Sequence, residues 1–330
     1  MNESSVHVLD EERNTWRQFD DHQCKGITLN KLLFAIGVTL ASLVPGLEGL
    51  GQDCCCSHHG KSEPFIQFLD DLLCFPRGTC KRDPYEERME TERHDFTHST
   101  TTVGRGVVQV EAGYLYLYKD EAEEIEHSHA TPETLLRIGL SDDIEFRLRW
   151  NYGWKFFEEG PNEESAMDMI WSIKLQITEQ CGWVPQSALE IRSSVPTGGS
   201  EFTLGRVEAG FSYIYGWKLT EDWTLYGSTV YAPSGLGEFS LLPDEPESER
   251  FTVVGQSVAL GTELTEKNTI YGEWFGLFSD GLEENLSLSF FNIGADHYFN
   301  DDFLIDFRVG VGLTEESEDF FAGVGGGVRF

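Results

Sequence analysis

Two clusters in this chain carry residue types that bind metals or move protons. The first is Cys54-Cys55-Cys56 with His58 and His59. Thiolates and imidazoles are zinc ligands, but three adjacent side chains cannot converge on one tetrahedral ion, and the spaced CxxC pair is absent. The second is Asp120-Glu121-Ala122-Glu123-Glu124-Ile125-Glu126-His127-Ser128-His129. Carboxylates suit divalent cations and the two imidazoles add affinity for zinc or copper, yet the same composition describes a solvated acidic loop. Pro243-Asp244-Glu245-Pro246-Glu247 reads the same way. A lipid hydrolase would need a serine fixed beside His127 or His129. No motif fixes one, His297 falls at the opposite end, and the chain holds no GxSxG, HExxH or phosphate-binding loop. The expectation is therefore no metal, no cofactor and no enzyme.

The elements that would position such groups are strands. Five short turns of one chemistry recur at intervals of 35 to 45 residues: Leu140–Asp143, Ile177–Gln180, Leu219–Asp222, Leu264–Lys267 and Phe299–Asp302. Each carries a Ser, Thr or Asn whose side-chain oxygen can accept a bond from a nearby backbone N–H. Between them lie runs of period-two alternation, twelve in all, at 107–118, 133–141, 143–156, 166–178, 184–195, 203–219, 222–232, 251–264, 268–278, 285–299, 302–313 and 319–330. Most reach 9 to 14 residues, the length a tilted strand needs to cross a bilayer, whereas sandwich strands run to about 5–6. The other connections, 119–132, 157–165, 196–202, 233–250, 279–284 and 314–318, are acidic or rich in Gly and Pro. Short turns at one rim and long loops at the other describe a twelve-stranded, antiparallel, up-and-down transmembrane β-barrel. An even strand number puts both termini on the short-turn side. Aromatic residues gathered near strand ends, such as Tyr114, Tyr116, Tyr118, Trp150, Trp154 and Trp223, fit interfacial girdles.

Composition agrees. Lys+Arg 24 against Asp+Glu 57 gives a net charge of −33, which excludes a nucleic-acid partner. The apolar segment 32–45, flanked by Lys25 and Lys31, is too short to span a membrane as a helix and reads as a secretory signal. Residues 1–51 are then a signal peptide with an extended n-region, cleaved after Gly51. Residues 52–100 form a periplasmic, Cys-containing segment in which Phe65, Phe68, Leu69, Leu72 and Leu73 predict a short amphipathic helix over 65–73; a charged linker runs on to Asp95. Residues 101–330 are the barrel. Export would leave six cysteines, 54, 55, 56, 74, 80 and 181, with Cys74 and Cys80 the natural local pair in an oxidising compartment.

Alternation also selects the lumen. It turns Glu111, Arg137, Glu145, Arg147, Arg149, Lys155, Asp168, Lys174, Glu190, Arg192, Glu208, Lys218, Glu273, Asp306, Arg308 and Arg329 inward. Such a set can line a polar solute pathway or pair into a network that fills and closes the barrel. On the last strand Gly323, Gly325 and Gly327 face inward, which reads as room for a small solute.

Several stretches resemble a known family. Asp95-Phe96-Thr97-His98-Ser99-Thr100-Thr101-Thr102-Val103, followed by Gly106 to Tyr114, looks like the opening of an outer-membrane transporter family labelled after the meta-pathway of phenol degradation. Pro132 to Leu140, Val195-Pro196-Thr197-Gly198 and Gly310-Val311-Gly312-Leu313 are similar to further parts of it, and the likeness spans 95–330. The resemblance implies passive movement of small molecules across the outer membrane of a Gram-negative-type bacterium. The closing Phe330 resembles the signal by which the barrel assembly machinery recognises its clients. Outer-membrane lipids, that machinery and a small solute are the expected partners. A closed structural or interaction barrel presenting acidic loops is the alternative, with a lipid hydrolase behind it.

Overall fold

A computed structural model describes residues 83–93, 96–121, 124–158, 160–199, 202–203, 205–232, 251–281 and 285–330. The expected signal peptide, the helix at 65–73, every cysteine except Cys181 and the loop 233–250 lie outside the described residues.

The alternating runs form β1 (Val108–Glu121), β2 (Glu124–Gly139), β3 (Ile144–Phe157), β4 (Glu163–Ala166), β5 (Met169–Thr178), β6 (Gln186–Val195) and β7 (Glu208–Lys218). They continue as β8 (Trp223–Ala232), β9 (Thr252–Thr265), β10 (Asn268–Asp280), β11 (Ser287–Asn300), β12 (Phe303–Gly312) and β13 (Phe320–Arg329). Both β4 and β5 pair with β3, one above the other, so they form one interrupted stave of a 12-stranded barrel. All pairings are antiparallel. The ring closes where β1 meets β13, from Gln109 opposite Arg329 to Tyr118 opposite Phe320, which removes the exposed strand edge.

The recurring turns work as their chemistry demands. Ser141 Oγ, Thr220 Oγ1, Thr265 Oγ1 and Asn300 Oδ1 each accept the backbone N–H two residues on, at 3.3, 3.3, 3.3 and 2.9 Å. The turn after β5 is longer. Cys181 and Val184 exchange two backbone bonds of 3.0 Å there, and Cys181 is disulfide-bonded.

One expected loop is strand. The segment 119–132 reads as an acidic outward loop, and its Pro132 lacks a ladder donor. The sheet instead runs through it, and a register shift between Ala130 and Glu133 absorbs the proline. The hairpin β1–β2 therefore reaches Glu121 and Glu124, beyond the expected strand ends.

The two faces are inverted relative to a soluble protein. Outside, Trp171, Phe211, Val258, Ile293, Phe307 and Val324 are each at least 40 % exposed. Inside, Glu111, Glu145, Lys174 and Asn292 are completely buried. A closed ladder with an apolar exterior is the β solution to a bilayer, where no backbone group can be left unpaired.

Candidate functional site: the occupied lumen

Strand parity points the charges inward, but a second element decides what they do. Residues 83–93 enter the barrel from the short-turn rim, and residues 96–107, from about mid-height at Phe96, lead back to the same rim before β1. Arg329 holds the entry, donating to the carbonyls of Pro84 (2.9 Å) and Glu87 (3.0 Å). Met89 N–H donates to the Asp301 carbonyl at 2.9 Å, and the Met89 side chain packs on Tyr298 and Leu304. On the return, Thr102 Oγ1 donates to the Asp142 carbonyl at 2.6 Å. The expected linker is thus in part an internal plug. Its charged residues read as solvent-seeking, but they are matched by wall charges of opposite sign.

The plug's backbone lacks a ladder, and buried N–H groups must find acceptors. Wall carboxylates supply them. Glu111 Oε2 accepts the N–H of Glu92 (2.8 Å) and Arg93 (2.7 Å), Glu145 Oε2 that of Val103 (2.8 Å), and Glu273 Oε1 that of Thr97 (2.6 Å). The plug's own charges complete the network. The Glu92 carboxylate sits 2.6 Å from Lys174 Nζ, 2.8 Å from Arg147 Nη1 and 3.0 Å from Arg137 Nη2. Arg93 pairs with Glu133 at 2.5 Å and with Asp306. His98 Nδ1 lies 2.8 Å from Glu190, which also binds Arg147 at 2.9 Å and accepts from Ser172 Oγ at 2.7 Å.

The glycines of β13 serve this packing rather than an open pore. A Cβ at Gly327 would stand 2.7 Å from both Met89 Cε and Thr91 Cγ2, and one at Gly325 would stand 2.7 Å from Arg93 Cζ. The expected solute room along the last strand is filled by the plug.

Nearer the long-loop rim the contents turn apolar. Phe96 stacks on Phe275 at 4.6 Å between ring centroids, Phe275 on Phe290 at 4.8 Å, and Phe290 meets Phe321 edge-on at 6.1 Å. Leu115, Leu117, Leu277 and Leu288 complete this layer. It blocks the side of the barrel formed by β1 and β9 to β13. Toward the opposite side a cavity of about 70 Å³ remains, walled mainly by β2, β3 and β5 to β8, with Leu115 of β1 and Arg308 of β12, and by the plug residues Arg93, Phe96 and His98.

The sixteen expected lumen residues divide accordingly. Glu111, Arg137, Glu145, Arg147, Lys174, Glu190, Glu273 and Asp306 contact the plug directly. Arg149 donates to the Arg93 carbonyl at 3.4 Å, and Arg308 lies 3.9 Å from Glu133. Arg192 faces the cavity and Arg329 guards the entry. Three others lie toward the long-loop rim. Asp168 accepts the Gly198 N–H at 2.7 Å, Glu208 pairs with Arg206, and Lys155 lies 3.9 Å from Glu126. Lys218 is corrected: it ends β7 at the short-turn rim, exposed to solvent, with its N–H on Gln180 Oε1 at 2.7 Å. Phe330 exchanges backbone bonds with Val108 and leaves its ring 66 % exposed. Sequence reading missed Glu133 and the plug's Glu92, Arg93 and His98. Parity with Leu135 and Arg137 places Glu133 inside; nothing local marks the other three.

The histidines of the acidic segment lie on the outer face. Tyr116 and Tyr114 hydroxyls meet His127 Nδ1 and His129 Nδ1 at 2.8 and 2.6 Å, as part of the aromatic girdle. At the same rim, burial pushes Glu318 up to about 7, with the neighbouring carboxylate of Glu126 adding to the rise. A carboxyl raised in the folded state stabilises the fold below its ordinary value, and that contribution is lost as pH rises through about 7. Between pH 6 and 8 the mouth therefore gains one negative charge. The reversal potential across a salt gradient is expected to move toward cation preference over that range in the native chain and to stay flat in Glu318→Gln.

These features define the class: a membrane β-barrel whose charged lumen is occupied by its own N-terminal segment. The chain belongs to the family described as "Putative MetA-pathway of phenol degradation", matched over residues 91–330. That match begins inside the plug, at Thr91, so the plug from Thr91 onward lies within the family's extent. Among solved structures, an outer membrane channel from Pseudomonas putida F1 is similar, with TM-score 0.55 and 12% identity over 73% of this chain and 100% of that one. The translocator domain of the autotransporter NalP from Neisseria meningitidis gives 0.46 and 12% over 69% and 89%. Identities this low speak to the fold. No curated protein matches the chain.

Proposed function

We propose that this protein is a passive outer-membrane channel for small molecules, without cofactor, energy coupling or bond chemistry. The observation that carries the reading is the unequal filling of the lumen. The aromatic layer closes one side, while the other, where the Glu92 network ties the plug to β2, β3 and β5, keeps a cavity faced by Arg149, Arg192 and Ser212. A water needs roughly 10–15 Å³ of such space, so about 70 Å³ holds a solute of only a few heavy atoms unless the plug shifts. The plug is the selectivity element, and solutes pass between it and the wall formed by β7 and β8, where Ser212, Ile214, Ser228 and Val230 line the cavity. Outer-membrane lipids surround the apolar belt, and the exposed Phe330 ring is the handle for the assembly machinery.

The density of ion pairs favours a second reading, a barrel locked shut for structural or interaction purposes, because a satisfied buried network rigidifies what it joins. Reconstitution separates the two. Protein folded in detergent and placed in planar bilayers is expected to give discrete ionic currents, and liposomes carrying it should swell in small neutral or charged solutes. Folded protein with neither current nor swelling would leave the structural barrel standing.

A further inference from the structure

The cavity beside the plug has an uneven charge. Five arginines line it, Arg93, Arg147, Arg149, Arg192 and Arg308, against two glutamates, Glu133 and Glu190. Both glutamates are already engaged, Glu133 by Arg93 and Glu190 by Arg147, His98 and Ser172. Among the described residues no carboxylate lies within ion-pairing distance of Arg149 or Arg192. Arg149 makes one long bond to a carbonyl, and the Nη2 of Arg192 is buried without any hydrogen-bond partner. A guanidinium removed from water needs an anion, and leaving its N–H groups unpaired is costly. The two are near one another across the sheet: Arg149 stands opposite Ile170 and Arg192 opposite Ser172, two positions along the same strand.

The rest of the wall mixes neutral polar groups, Asn151, Ser172, Ser212 and Ser228 among them, with an apolar set. Leu135, Ile170, Ile214 and Val230 face the same space. A forked, charged end and an apolar end in one small chamber match a molecule with the same two ends. Resting on the channel reading for its role in transport, we propose that this chamber is a binding site for small monocarboxylates with an apolar body. The carboxylate is held by Arg149 and Arg192, and the hydrocarbon end lies against Ile170, Ile214 and Val230. A guanidinium binds a carboxylate through two parallel N–H bonds, which fixes orientation as well as charge. Bound there, such a solute supplies the anion that the two arginines lack within the barrel.

Butyrate, butanol and butylammonium are the probes. Titrated calorimetrically into the folded barrel in detergent, butyrate is expected to bind saturably at one site, at least about tenfold more tightly than either analogue. Arg192→Gln and Arg149→Gln, each checked for heat-modifiable gel mobility, should each weaken butyrate binding about tenfold or more and leave butanol unchanged. Butyrate binding no better than butanol overturns the proposal, as does butyrate affinity unaffected by both substitutions. The comparison of the three probes needs no variant, so it stands even where a variant fails to fold. Ionic current without butyrate binding removes this site and keeps the channel; binding without current keeps the site and removes the channel.

Discussion

Glu92→Gln is expected to raise the conductance of the folded barrel about tenfold or more. Glu92 is the shared counter-ion of Lys174, Arg147 and Arg137, each within 3.0 Å and all buried. Removing one partner from a buried ionic cluster costs roughly 3–5 kcal/mol, because the remaining charges stay desolvated. The barrel's own ladders do not include Glu92, so that cost falls on docking of the plug. About 1.4 kcal/mol shifts an equilibrium tenfold, so half of the penalty suffices to populate a displaced plug. Single-channel recording reads the effect as larger or longer openings. Unchanged currents from a correctly folded Glu92→Gln barrel would falsify the view that this carboxylate latches the plug.

A steric route reaches the same state. Gly327→Leu places a side chain where Met89 Cε and Thr91 Cγ2 now lie, both 2.7 Å from the position of its Cβ. The neighbours in the way are side chains, two of them on the plug, so the wall can keep its register while the plug gives way. Arg93 is 2 % exposed in the native barrel, so its side chain is out of reach of a protease. Trypsin cleavage after Arg93 is therefore expected to accelerate about tenfold or more in Gly327→Leu, since cleavage follows the population of the opened form. Equal cleavage rates in both proteins would mean that the plug is held by something other than the glycine stripe.

Much of this architecture is written locally. Ser141, Thr220, Thr265 and Asn300 close their turns with their own side-chain oxygens, a bond within two residues that composition alone reveals. Inward faces follow from the period of two, which is why Arg137, Glu145, Arg147 and Lys174 could be placed inside before any coordinates. Where backbone register shifts, the count slips: the half of β2 nearer the long loops, ahead of the shift between Ala130 and Glu133, reads as loop. The plug is the part that local patterning cannot supply. Glu92, Arg93 and His98 have no periodicity, and their partners lie far along the chain, Glu92 from Lys174 by 82 residues and Arg93 from Asp306 by 213. Charged residues without periodicity suggest solvent, and only complementary charges on distant strands reverse that meaning. The same absence of context made Gly323, Gly325 and Gly327 look like space. They are space, but space already taken.

Residues 89–93 and 96–103 sit in the lumen, where they set what passes. Thr97 Oγ1 lies 2.5 Å from Ser257 Oγ on the wall, so a Thr97→Cys, Ser257→Cys pair can tie plug to barrel. Currents through this double variant should be recorded oxidised and then after reductant, with the native chain treated identically as the control for its own cysteines. The expected result is a low conductance in the tied state, insensitive to an added Glu92→Gln, that rises on reduction while the native chain does not change. The same current before and after reduction, with the cross-link verified, would contradict it.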